Sequence, residues 1–397
     1  MLARRWFMNK HTTPSRQRQQ GSIVVLFGGL ILVLTGFAVL AIDVGRVFIV
    51  RSELQNVADA AALAGANCLT RESSTLNTTD CLSKMAAPPA YPTSLNWDRA
   101  SAKAQAQLSQ NQADNRSISS TDAGHVIDVG YWDLLNKRPT GGTLPTSAMS
   151  ISFSPLGSYD KPAIRVTVSK ASGQNGGPIL MLTRLMYGGN DVSMSATSVA
   201  VVSSPGKVDA GSLIPMAINK CLYDTYWNSS TNTPYNATSN TLKGVEQVIG
   251  KPWVFRIGSA YHYGSCDSGQ WTTFGNDTNS ASVLKTLISE GNPTALSIGD
   301  ATYIQAGTKT TGYSDLLDHC SSSDGADVLV PVVNYPTGLD GVKSSIPIVA
   351  FAMFHITDSK GGSDKYMEGY FTGGLSAGGS SGVGPSYGAY TPPRLAY

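Results

Sequence analysis

The chain has 397 residues, enough for two or three domains, and is 41% hydrophobic but only 14% charged, with 41 Gly. So low a charged fraction argues against a helical cytosolic enzyme and for a strand- and loop-rich extracytoplasmic protein. The net charge of +2 hides an uneven split: five of the 29 basic residues precede the first acidic residue, Asp43, and the remaining 24 face 27 acids, so the bulk lacks the basic face a nucleic-acid partner requires.

Those five, Arg4, Arg5, Lys10, Arg16 and Arg18, make residues 1–20 a basic tail. From Gly21 to Ile42 the sequence GSIVVLFGGLILVLTGFAVLAI carries no charge for 22 residues. At 1.5 Å per residue that is about 33 Å, matched to a hydrocarbon core of about 30 Å, which predicts a transmembrane helix over residues 21–45. Basic residues beside a membrane helix stay cytoplasmic, so the N-terminus is expected inside and the bulk outside. The run exceeds the apolar region of a cleavable signal peptide.

The helix is predicted to continue past the membrane, because DVGRVFIVRSELQNVADAAALAGA runs from Asp43 to Ala66 without Pro. Ala58, Ala61, Ala62, Gly65 and Ala66 fall at helical spacing, and small residues there admit a second helix closely. Two partners fit the spacing equally: the chain's own domain, or helices of other subunits.

Further along, residues 95–112 read as an amphipathic helix with Ala100, Ala104 and Leu108 on one side. HVIDVGYW (125–132), AIRVTVSK (163–170) and DVSMSATSVAVV (191–202) read as strands, and GGPILMLTRLMYGGN (176–190) as a short apolar segment bounded by Gly. Ser203-Ser204-Pro205-Gly206 marks a boundary, giving an α+β region over 46–206 and a mostly antiparallel β domain over 207–375. That second domain is expected to hold strands at 212–218, 251–258, 327–335, 346–357 and 365–372, and a helix at 281–292 ending at Gly291. The remainder, 376–397, is rich in Gly, Ser, Pro and Tyr and predicts little regular structure. The fold class is therefore α+β, led by a long transmembrane helix.

Five cysteines, Cys68, Cys81, Cys221, Cys266 and Cys320, form no CxxC pair. Outside the cytoplasm oxidation is the default, and Cys68 and Cys81 close a short loop whose bridge contributes about 3 kcal/mol in the chain-entropy model. A Cys266–Cys320 disulfide is preferred to a zinc site built from His262, Cys266, His319 and Cys320, whose spacing fits paired ligands poorly. His355 reads as a satisfied core histidine.

Two catalytic-looking matches carry little. Asp191-Val192-Ser193-Met194-Ser195 spells DxSxS, but inside an alternating strand the three oxygens cannot converge on a cation. Gly374-Leu375-Ser376-Ala377-Gly378 spells GxSxG but lacks the following helix of a nucleophile elbow. No catalytic residue, metal, cofactor or small-molecule substrate is expected.

The stretch GSIVVLFGGLILVLTGFAVLAIDVGRVFIVRSELQNVADAAALAGA resembles the N-terminal signature of TadG-like proteins, of the TadE/TadG family in the bacterial Tad (Flp, tight adherence) pilus system. AIDVGR, RSELQN and ADAAALAGA are its most diagnostic parts, and GYWD, AIRVTVSK and YMEGYFTGG are similar to later parts of the same family. Where prepilin-type sequences place a Glu, this chain has Leu26. The resemblance implies anchoring in the inner membrane with the bulk periplasmic or in a surface pilus. It also implies a role in pilus assembly as a structural or minor pilin-like subunit, with other pilin-like subunits and membrane lipid as partners. The alternative is a surface adhesin whose tail offers Tyr387, Tyr390 and Tyr397 as exposed anchors.

Overall fold

The fold is taken from a computed structural model. It describes residues 22–69, 97–119, 121–151, 157, 159–184, 188, 191–228, 233–258, 266, 269–275, 277–278, 280–305, 309–319, 325–339, 341–375 and 381–397. Helix α1, Ser22–Leu69, is one unbroken run of 48 residues, about 72 Å long. Its two halves have different surroundings. Up to Ile42 almost every side chain is exposed. From Asp43 onward a stripe of Val47, Val50, Leu54, Val57, Ala58, Ala61, Ala62 and Ala66 faces the first core, repeating every three to four residues as one helical face must.

Helix α2, Trp97–Leu108, lies along that stripe and buries Ala100, Ala104 and Leu108, the three residues its periodicity picks out. Behind them stands an antiparallel sheet of β1 (His125–Asp133), β2 (Arg138–Pro139), β3 (Asp160–Lys170) and β4 (Met194–Val201). A last strand, Arg394–Leu395, pairs with Ala200 and Val201 at the β4 edge, so the C-terminal tail joins the sheet on which α1 packs. The sheet order is Arg394–Leu395, β4, β3, β1, β2. The first core is thus helix on sheet, with α1 and α2 covering one face.

The second sheet takes its strands from β5 (Met216–Asn219), β6 (Phe255–Gly258), β7 (Gly269–Trp271), β8 (Ala301–Tyr303), β9 (Ala326–Val333), β10 (Ser345–Lys360) and β11 (Tyr366–Phe371). They run in the order β6, β11, β10, β9, β5, β7, with β8 also on β10. All pairs are antiparallel except β9 with β5. The short helices α3 (Lys220–Tyr226), α4 (Ala281–Glu290) and α5 (Thr310–His319) pack on it. Its core is aromatic, with Tyr226 stacked on Phe255 at 4.2 Å and Trp271 edge-on to Tyr313 at 5.0 Å. Gly291 ends α4 with φ +77°, a left-handed conformation glycine adopts at no steric cost.

The C-terminal tail departs from the expectation of little regular structure. Ala389–Tyr390 pairs in parallel with Gly374–Leu375 before the chain reaches β4. Tyr387 stacks on Tyr223 at 3.8 Å in the second core, while Tyr390 is buried in the first. Composition misleads here because the pairing is non-local. Gly388 is there for a close approach, since a Cβ on it would collide with the Thr372 carbonyl.

Candidate functional site: the emergent half of the long helix

The bare half of α1 needs no protein partner for its own polar atoms. Beyond its first turn the helix satisfies its backbone internally, and the Thr35 hydroxyl donates back to the carbonyls of Ile31 and Leu32, both at 2.9 Å. Such a segment meets the strict condition hydrocarbon sets, that every polar group be satisfied within the segment.

Immediately after Ile42 comes a polar collar. Both carboxylate oxygens of the fully buried Asp43 accept backbone N–H groups, from Leu182 at 2.7 Å and Thr183 at 2.8 Å. One turn on, Arg46 donates through Nε and Nη2 to Asp114 Oδ1 at 3.2 and 2.8 Å, and through Nη1 to the Leu180 carbonyl at 3.1 Å. Glu53 then accepts the Asp114 N–H at 2.7 Å, and Gln55 donates to the Thr197 carbonyl at 3.3 Å. Asp114 can sit there because it and Asn115 adopt φ +53° and +57° at the tip of the Gln112–Ala113 and Arg116–Ser117 hairpin, a turn shape that favours Asx residues. Lys170, only 1% exposed, completes the cluster with Nζ 3.5 Å from Asp114 Oδ2 and a hydrogen bond to the Asn175 carbonyl at 3.0 Å. A buried charge is costly unless hydrogen bonds compensate it, and each charged group here makes at least one.

Below the collar lies the small-residue stripe. Ala58, Ala61, Ala62 and Ala66 are fully buried, and Gly65 is buried with them. A Cβ added to Gly65 would lie 2.6 Å from Ile164 Cδ1 and 2.7 Å from the Ala100 carbonyl oxygen. The stripe does admit a second helix closely, but that helix is the chain's own α2. Of the two partners the spacing leaves open for these five residues, the chain's own α2 lies against the stripe here. A bulky residue at Ala58 or Ala62 would damage the fold itself.

The disulfide expectation changes too. Cys266 is bonded to Cys221, with Cα atoms 5.6 Å apart, and not to Cys320. Spacing favoured the wrong pair because it does not reveal that α3 carries Cys221 to the end of β5, beside Cys266. Cys68 is disulfide-bonded, and Cys81 and Cys320 lie outside the described residues. His262 and Ser376 lie outside them as well.

The remaining sequence matches resolve as structural contacts. Asp191 takes both of its carboxylate oxygens to Arg184 Nη1 at 3.1 Å, and Ser195 pairs across the ladder with Ser169. His355 bonds Asp327 through Nδ1 at 2.7 Å and stacks on Tyr370 at 4.7 Å. Tyr387 and Tyr390 are buried, which removes two of the three exposed anchors of the adhesin reading.

Sequence reasoning did not assign the collar, although its signal was present. Asp43 and Arg46 are the charges of AIDVGR, three apart and therefore on one face of the helix. Nothing in the sequence names Leu182, Thr183 or Asp114 as their partners, because those contacts join residues 68 to 140 positions apart.

A helix long and apolar enough to cross a membrane, bare over its first half and embedded in its own sheet over the second, defines a membrane-anchored α+β protein. Residues 21–67 match the family described as "Putative Flp pilus-assembly TadE/G-like", and residues 85–200 match that described as "Putative Tad-like Flp pilus-assembly". Over those two stretches the chain is similar to TadG-like proteins of the Tad pilus-assembly system. No curated protein and no solved structure matches it. Both family descriptions concern pilus assembly rather than an enzymatic reaction.

Proposed function

We propose that this chain is a structural, minor pilin-like subunit of the Tad pilus machinery, held in the inner membrane by residues 21–45 with its N-terminus cytoplasmic. The observation that carries this reading is the continuity of α1 through the collar. An anchor joined by a flexible linker would only tether the domain. An anchor that is the same helix as the core stripe transmits orientation and force between bilayer and domain. The five basic residues ahead of Gly21 favour the cytoplasmic placement of the tail, and the bonded cysteines favour an oxidising compartment for the bulk.

Because the stripe from Ala58 to Ala66 is occupied by α2, lateral contacts with other pilin-type helices fall to the bare half. Outside their own helix, Gly28 and Gly29 have nothing among the described residues within 4 Å of an added Cβ, so a neighbouring helix could approach there. The test is disulfide crosslinking in piliated cells with single cysteines at Val25, Gly29 and Leu32. Crosslinks to pilin-type helices are expected. Pili that assemble normally without this chain would overturn the assembly role, and intact pili with no crosslinks would overturn the packing.

A further inference from the structure

The apolar surface of α1 does not end at Ile42. On the face turned away from the collar, Val44, Phe48 and Ile49 are 44%, 65% and 61% exposed, and Gly45 between them has nothing within 4 Å. Counted from Ile23 to Ile49, that bare apolar face is 27 residues long, about 40 Å, which exceeds a hydrocarbon core of about 30 Å. On the collar side, the segment that clasps the helix presents apolar side chains outward. Leu182 gives its backbone N–H to Asp43 and Leu180 its carbonyl to Arg46, so both sit level with the turn that follows Ile42. Their side chains are 40% and 54% exposed, whereas neighbouring Ile179 is buried and bridged to Val192. The guanidiniums of Arg46 and Arg184, which flank this segment, stay partly open to solvent.

We infer that the segment Leu180–Arg184 is a second membrane contact: Leu180 and Leu182 enter the phospholipid interface beside α1, while Val44, Phe48 and Ile49 are covered by the same bilayer on the other side. The inference rests on the membrane-anchored reading and adds that the domain sits directly on the bilayer. Three observations select lipid as the occupant. The patch is continuous with the anchor. It lies within about 10 Å of the anchor's end, the depth of an interfacial zone. Apolar tips flanked by Arg match the layering of acyl chain and phosphate. The surplus length of the apolar face is then accommodated, and the collar is shielded from bulk water.

The test is photocrosslinking of the full chain in phosphatidylethanolamine–phosphatidylglycerol vesicles, with benzoylphenylalanine placed singly at Leu34, Phe48, Leu182 or Leu135. All four positions are exposed, and the backbone N–H at position 182 remains available to Asp43. Lipid adducts are expected at Leu34, Phe48 and Leu182 and not at Leu135, on the distant turn after β1. Adducts at Leu34 with none at Leu182, or Leu182 adducts only to a second copy of the chain, would overturn the inference and leave the anchor intact. Loss of adducts at Leu34 as well would overturn the membrane reading with it.

Discussion

Asp43 is the first acid in the chain, and its carboxylate is committed to two backbone donors rather than to a cation. Asp43→Ala would orphan both N–H groups, at about 1–3 kcal/mol each. Chemical unfolding in detergent should show that loss, and amide exchange should show Leu182 and Thr183 losing protection first. Lys161 offers a test by pH. It is 3% exposed, its Nζ donates to the Gly384 carbonyl at 3.0 Å, and burial lowers its pKa to about 8 from an ordinary 10.5. The unfolded chain therefore binds the proton more tightly than the folded one between pH 8 and 10.5. Wild type should gain stability relative to Lys161→Met as pH rises from 8 toward 10, and a thermal-midpoint difference constant with pH would contradict this.

At the scale of elements, what the sequence makes legible is whatever is local. The apolar run, the three-to-four spacing of α2 and the alternation of β1, β3 and β4 are properties of neighbouring residues, and those elements stand where the periodicity puts them. Helix α5 was not legible. Thr310, Thr311 and Gly312 at its start argue against a helix, yet Gly312 is needed because a Cβ there would come within 2.9 Å of the Trp271 ring. The stripe was legible as close packing but not as to partner, because alanine spacing is the same for an internal helix and an external one. Gly65→Leu should therefore cost stability, by roughly 1–3 kcal/mol or more for overpacking, and not merely impair assembly. A variant that unfolds like wild type yet fails to support pili would return the stripe to intermolecular use.

For the whole molecule, the tail is the least legible and among the most consequential parts. Residues 381–397 supply a tyrosine to each core, a hydrogen-bond acceptor to Lys161 and an edge strand to the first sheet. Tyr387→Ala should destabilise by about 3–5 kcal/mol, as for other large buried aromatics. Deleting residues 394–397 should weaken the sheet that holds α1, seen as faster exchange in β4. The tail thus couples the second sheet to the helix-bearing first one, so that anchor, collar and both cores respond as a unit. That unity depends on α1 having no hinge where it leaves the membrane. Hydrogen exchange of the full chain in lipid nanodiscs tests it most directly. Unbroken amide protection from Asp43 through Ala66 is the expected result, whereas fast exchange confined to residues 43–50 would show an anchor jointed to its domain and would contradict the account.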